Sequence, residues 1–488
     1  MNPNSLPEAP PAVASAPDEA TASRNRLVIA LLLVSSFVVI LNETIMGVAI
    51  PHLMHDLGIT ASTAQWLTTA FMLTMAVVIP ITGFLMQRLN TRPVFILAMT
   101  TFSLGTLVAA LAPGLPVLLV GRIIQAIGTA IMMPLLMTTV MTLVPPESRG
   151  KTMGNISIVI SVAPAIGPTL SGIILSHLTW RWMFWLVLPI AIGSLILGAL
   201  RISNVTETHD SPIDVPSVIL SVFGFGGLVY GLNKIGEMTS EAGGGANWVP
   251  LAVGAAALGA FIARQLWLQR EERALLDLRT LTSSNFALSV TALSISMMSL
   301  FGTFILLPIY MQHVLNLSPL KCGLLLLPGG LIMGLMAPPV GRLYDRHGPT
   351  LLVVPGTLMA SAVLWWMTTM TPTTTVPELL IAHVVLSVGL AMTFTPLFTA
   401  GLGSLPPKLY AHGSALVGTV QQLAGAAGAA LFVALMSLQT TSLMAKGLTE
   451  ITATAGGLRT AFVWGAVISL FAVLATIFVK KPADSEHA

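Results

Sequence analysis

The chain has 488 residues, of which 22 are Lys or Arg and 19 are Asp or Glu, while 55% are apolar and the mean hydropathy is +0.87. A charged fraction of 8%, against roughly 25% in soluble proteins, excludes a soluble globular domain. A net charge of +3 excludes a nucleic-acid footprint, and the single Cys322 excludes an intrachain disulfide or a Cys-rich metal centre.

The composition is that of an integral membrane protein. Residues 1–26, rich in Pro, Ala and Ser at their start, read as a disordered cytoplasmic tail with no cleavable signal. A membrane helix needs about 20 mostly apolar residues. That criterion places spans at 27–50, 63–86, 93–112, 115–143, 152–176, 182–203, 213–233, 248–268, 285–310, 319–341, 350–370, 378–404, 411–440 and 458–480. Fourteen spans of this length exclude a barrel of short alternating strands.

The first span carries Asn42 and Glu43, and Glu43 is the one carboxylate well inside any span. A charge at that depth costs at least ~2.5–3.5 kcal/mol, so it is a functional candidate by default. The fourth span holds the one embedded base, Arg122, at a depth similar to Glu43, with Gln125 and Thr129 on the same helical face. Arg122 reads either as a structural brace or as a direct or water-bridged partner of Glu43. Met46, Phe301, Phe304, Tyr310, Gln312, His383, Gln421 and Gln422 complete a set of candidate cavity residues. Each is also explained by ordinary packing or interhelical hydrogen bonding. Gly167, Pro168 and Gly172 in the fifth span combine small residues with a kink. Gly150-Lys151-Thr152 ends like a phosphate loop, but Pro145 stands where a glycine is required and no strand precedes it. No metal-ligand spacing or nucleophile motif is present, so no cofactor is expected and ATP is not supported as the energy source.

The loop after the eighth span, 264–284, mixes charges with apolar residues at helical spacing and is expected to lie along the membrane interface. The loop 234–247, with Glu237, Glu241 and three glycines, reads as mobile. Sixteen basic residues fall on the side of the N-terminus, against Arg181, Lys234, Lys321, Lys446 and Arg459 on the other. Positive residues stay inside, so both termini are expected in the cytoplasm.

An internal repeat follows. Gly83-Phe-Leu-Met-Gln87-Arg88-Leu-Asn90 after the second span matches Gly341-Arg-Leu-Tyr-Asp345-Arg346-His-Gly348 after the tenth. Parallel repeats of this kind are a known transporter architecture. With these residues the chain resembles the major facilitator superfamily, in particular its fourteen-helix drug:proton antiporter branch (EmrB/QacA-like) and there the lincomycin-resistance-like subgroup. Leu41-Asn42-Glu43-Thr44-Ile45 through Pro51, Gly121-Arg122-Ile-Ile-Gln125, Ala163-Pro164 through Gly172, and Trp180-Arg181-Trp182 are similar to that branch's motifs in order. Asn42 stands where the branch has an Asp, with Glu43 one position later. Gln87, Asn90 and Pro93 depart from its first loop motif.

The resemblance implies an all-α membrane protein. Six-helix bundles are expected at 27–203 and 285–480, with two inserted helices at 204–268, an interfacial linker at 269–284 and a short tail at 481–488. It implies a proton-coupled exporter of small amphiphilic compounds or antibiotics in a bacterial inner membrane, monomeric, with drug-like substrate, protons and lipid as partners. From their depth in the spans Glu43 and Arg122 are expected to carry the coupling, and Gly83, Arg88, Gly167, Pro168, Gly172, Gly341, Asp345 and Arg346 are expected to serve conformational change. A facilitator or symporter of a defined metabolite is the alternative. A membrane enzyme or channel would need clustered His or carboxylates, or a charged ring, which the sequence lacks.

Overall fold

The structure is a computed structural model that describes residues 19–59, 61–204, 214–238 and 248–482. Most of the expected N-terminal tail, the tip of the loop after the seventh span with Glu241, and nearly all of the C-terminal tail lie outside the described residues. Within them the regular structure is helical, and fourteen helices are long and apolar enough to cross a membrane. They are α1 (Glu19–Leu57), α2 (Ala61–Arg88), α3 (Thr91–Ala110), α4 (Leu115–Leu143), α5 (Arg149–His177), α6 (Arg181–Arg201), α7 (Val215–Leu232), α8 (Val249–Leu268), α9 (Ser284–Ile309), α10 (Pro319–His347), α11 (Thr350–Met367), α12 (Val376–Gly403), α13 (Tyr410–Ala445) and α14 (Glu450–Ile477). In lipid every backbone group must be satisfied internally, which is why apolar runs of this length fold as helices.

In the first half α1 packs on α4, α5 and α6, and α3 on α4 and α6. The same pairings recur in the second half, with α9 on α12, α13 and α14, and α11 on α12 and α14. The halves meet along two edges, α5 against α10 and α2 against α13. Two cross-half hydrogen bonds share one register. Thr138 of α4 meets Ser414 of α13 at 2.7 Å, and Thr395 of α12 donates to Ser157 of α5 at 2.8 Å. Threonine on the fourth helix of each half thus meets serine on the fifth helix of the other.

Helices α7 and α8 form a hairpin that packs on the α2–α13 edge. A π-turn at Val222–Gly226 interrupts α7. Gly227 and Gly254 face each other, so a Cβ on Gly227 would lie 2.9 Å from the Gly254 Cα. Asp214 caps α7 and takes a bidentate pair from Arg264 of α8 at 2.6 and 2.7 Å. That guanidinium, with the Ser217 hydroxyl and amide, holds the Asp214 carboxyl down at about 2. The stabilisation is present above the ordinary carboxylate range and is lost only as pH falls through about 2. Asp214→Asn is therefore expected to lower the melting temperature in detergent by the same few degrees at pH 5.5 and pH 8, worth about 1–3 kcal/mol for a partly buried charged hydrogen bond.

The linker at 269–284 has little regular helix. It runs as short 3-10 turns, and Leu275 and Leu276 are buried in the core because the Gln265 side-chain oxygen accepts from both of their amides, at 2.8 and 3.2 Å.

Candidate functional site

The buried base Arg122 is positioned by backbone packing. Helices α3 and α4 approach through glycines. A Cβ on Gly105 would collide with the Gln125 amide, one on Gly121 would lie 2.8 Å from the Ala109 nitrogen, and one on Gly128 would collide with the Ala98 carbonyl. Small residues at such spacing let backbones touch, and here they place Arg122 and Gln125 against α3. Gly128→Val is expected to lower the melting temperature and the folded yield by the ~1–3 kcal/mol of an overpacked core. Gly193→Val in α6, where a Cβ meets nothing within 4 Å, serves as the neutral control; equal losses for both would refute the packing argument.

Arg122 is 1% exposed. One terminal nitrogen donates to the Asn42 oxygen at 3.3 Å and to the Gln125 oxygen at 3.2 Å. The guanidinium carbon lies 4.0 Å from the Phe71 ring centroid, and Nε has no hydrogen-bond partner. Gln125 in turn donates to Thr106 at 2.8 Å, and Thr106 to the Phe102 carbonyl at 2.7 Å. The buried cation is therefore met by two neutral carboxamide oxygens and an aromatic face, which offset part of its desolvation cost.

Glu43 lies one residue beyond Asn42, about 100° around α1. Asn42 faces α4, and Thr44 faces α5, where a Cβ on Gly167 would collide with the Thr44 hydroxyl. The half-buried Glu43 thus sits between the two directions. Among the described residues, Glu43 and Arg122 make no ion pair within 4.0 Å and act on each other through space. The sequence left a direct pair open; Asn42 occupies that contact instead.

The remaining candidates divide. Thr129 is buried and donates to the Gln125 carbonyl on the same helix. Gln422 approaches the sulfur of Met75 on α2 at 3.9 Å, and the Gln421 amide nitrogen is buried without a partner. Phe301 packs on Gly425, 3.2 Å from where its Cβ would stand, and Gln312 is half-buried in a π-turn, Tyr310–Val314, beyond α9. Four others are engaged elsewhere or turned outward. Met46 belongs to an apolar core with Ile45 and Phe184, and Phe304 is 45% exposed and turned outward. Tyr310 donates to the Thr371 carbonyl, and His383 ties α12 to the Leu326 carbonyl of α10 at 3.1 Å. Phe71, Met75 and Thr106 escaped the sequence reading because nothing distinguishes them from other apolar or small residues in a span.

The residues of the two repeated loop motifs gather at the end of the bundle that carries the basic loops. A Cβ on Gly341 would collide with the Gly150 carbonyl. Next to it the Asp345 carboxylate accepts from the Gly150 and Lys151 amides at 2.7 and 2.8 Å, capping the N-terminus of α5. The repeat is asymmetric. Gln87, the counterpart of Asp345, donates to the Lys408 carbonyl at 3.2 Å, and a Cβ on Gly83 would lie 3.1 Å from His412 of α13. Arg88 and Arg346 are exposed. Gly348 closes α10 at φ +77, a backbone that favours glycine, whereas Asn90 precedes α3 in extended conformation. Contact between the halves reaches from this end to Ala165–Gly330 and Met75–Gln422 at mid-helix. Towards the other end a Cβ on Gly172 or Gly323 would meet no atom within 4 Å. The side chain of Pro168 lies outside the described residues.

The Major Facilitator Superfamily profile matches residues 32–429. The lincomycin resistance protein LmrB of Listeria monocytogenes is 39% identical over 93% of this chain and 96% of its own length. LmrB of Bacillus subtilis is 38% identical over 92% and 95%. The crystal structure of the human organic anion transporter MFSD10 superposes with a TM-score of 0.67 at 15% identity, covering 93% of this chain and 99% of that one.

Proposed function

The chain belongs to the major facilitator superfamily, and on that premise we propose that it exports small amphiphilic drugs or antibiotics in exchange for protons. The fold and relatives are those of a transporter rather than an enzyme, and the chain is a multi-pass protein of a bacterial inner membrane. Export of antibiotics is supported by the resistance proteins that resemble it along nearly their whole length.

Proton exchange is supported by one observation above the others. Arg122 spends its hydrogen bonds on the neutral Asn42 and Gln125, and no hydrogen bond among the described residues ties down the Glu43 carboxylate. A carboxylate left unpaired between α4 and α5 can hold a proton in one part of the cycle and a cationic or polar group of the substrate in another. With the basic loops in the cytoplasm, the end at which the halves are closed is the inner one, and the described conformation faces outward. Return to the inward-facing state separates α5 from α10 and α2 from α13.

Energised inverted vesicles test the reading. Adding a transported drug is expected to collapse an inside-acid pH gradient, with no effect in vesicles lacking the protein. Transport that leaves the gradient untouched would make the protein a facilitator, and uptake together with protons a symporter.

A further inference from the structure

Helix α2 carries a stripe of residues at four-residue spacing that leads away from the charged site. Phe71 stacks on Arg122, Met75 meets Gln422, Ile79 meets Gly418, and Gly83 meets His412. The stripe ends on a buried titratable group that the proposed exchange does not use. His412 is 3% exposed at the start of α13, inside the closed basic end. Its ring hydrogen-bonds the Leu275 backbone in the linker, while Nδ1 has no partner and looks across the seam at Gly83.

We propose that His412 is a pH-sensitive latch: neutral, it lets the α2–α13 edge close, and protonated, it forces that edge open. The neutral imidazole needs one acceptor, which Leu275 supplies. The imidazolium needs two, and its second N–H, on an Nδ1 that has no partner, would lie against Gly83, which has no side chain to accept it. The charged groups acting on it come from the linker, Asp277 and Arg279. Asp277 is already committed to Arg279 through contacts of 2.6 to 3.1 Å, so the pair offers no spare carboxylate. From α2 the ring faces Gly83, and the next turn presents Gln87, which is engaged with Lys408, and the exposed Arg88. An unpaired charge and donor in a dry seam are relieved most cheaply by letting water in. The opposite edge is held differently: there the Asp345 carboxylate caps α5 and accepts two backbone amides.

The latch also gives the inserted helices a place in the cycle. Gln265 of α8 holds both Leu275 and Leu276 and itself donates to Ser217 of α7 at 2.7 Å, so the hairpin fixes the backbone that receives His412. If the basic end is cytoplasmic, as proposed above, an acid cytoplasm holds the protein open inward and slows turnover before more protons enter.

The test places spin labels at Arg88→Cys and Lys408→Cys in a Cys322→Ser background and reads their distance in detergent between pH 8 and pH 5.5. The ratio of long to short distances is expected to rise about tenfold on acidification. It is expected to stay constant in His412→Gln, which is short at both pH values, and to rise as in the parent in Glu43→Gln, which separates the latch from the proposed coupling carboxylate. A pH-independent distance in the parent, or an undiminished response in His412→Gln, would overturn the proposal.

Discussion

The Glu43→Gln protein is expected to reach the membrane in wild-type amounts and to lose concentrative export. Neutralising a carboxylate inside a span removes an insertion cost of at least ~2.5–3.5 kcal/mol, so folding is not the expected casualty. What disappears is the group that titrates. One elementary charge moving through 100 mV supplies ~2.3 kcal/mol, which sustains a drug gradient of roughly 50-fold at 1.4 kcal/mol per decade. A glutamine still offers polar contacts but cannot exchange a proton, so accumulation in energised inverted vesicles is expected to fall to the level of passive equilibration. Drug-induced collapse of the pH gradient is expected to vanish with it. Full coupled transport by Glu43→Gln would remove Glu43 from the mechanism and leave Arg122 as a brace between helices.

That prediction depends on a residue the sequence singles out for a plain reason: membrane spans tolerate so few charges that one embedded carboxylate stands out. The fourteen helices and the repeated loop motif are legible on similar grounds, since hydropathy and turn residues act locally. The azimuth of a side chain is another matter. In a soluble helix the buried face is marked by polarity, but lipid is as apolar as the protein interior, so Phe301 and Phe304 look alike and only one turns inward. The partner of Arg122 was hidden for the same reason. Depth along the helix axis matches Glu43, while rotation about it selects Asn42. Nothing in the sequence singles out His412, because its burial comes from the linker and the opposite half of the molecule, which no local pattern reports.

The asymmetry between the two repeat motifs carries the second large effect, because closure of the basic end has unequal latches. On the α5–α10 edge the Asp345 carboxylate accepts two backbone amides at the first turn of α5, where the helix dipole adds to charge-assisted hydrogen bonding. On the α2–α13 edge Gln87 makes one neutral hydrogen bond at 3.2 Å, worth about 0.5–1.5 kcal/mol. Removing Asp345 costs about 1.5–3 kcal/mol of closed-state stability, a shift of ten- to a hundredfold in the ratio of closed to open forms. The Asp345→Ala protein is therefore expected to expose the seam. A single cysteine at Ser157, which is buried there beside Thr395, should react at least tenfold faster with an impermeant thiol reagent applied from the basic end. Gln87→Ala should change that rate severalfold at most. The Asp345→Asn protein should fall between them, since one carboxamide oxygen keeps a single amide contact without the charge. Concentrative export should decline in the same order, because with the basic end inside, as proposed, a transporter that rarely closes that end seldom presents its substrate outward. Equal rates in Asp345→Ala and Gln87→Ala would mean that the glycine contacts of Gly341 with Gly150 hold the edge by themselves. The aspartate would then serve the folding of α5 and not the cycle.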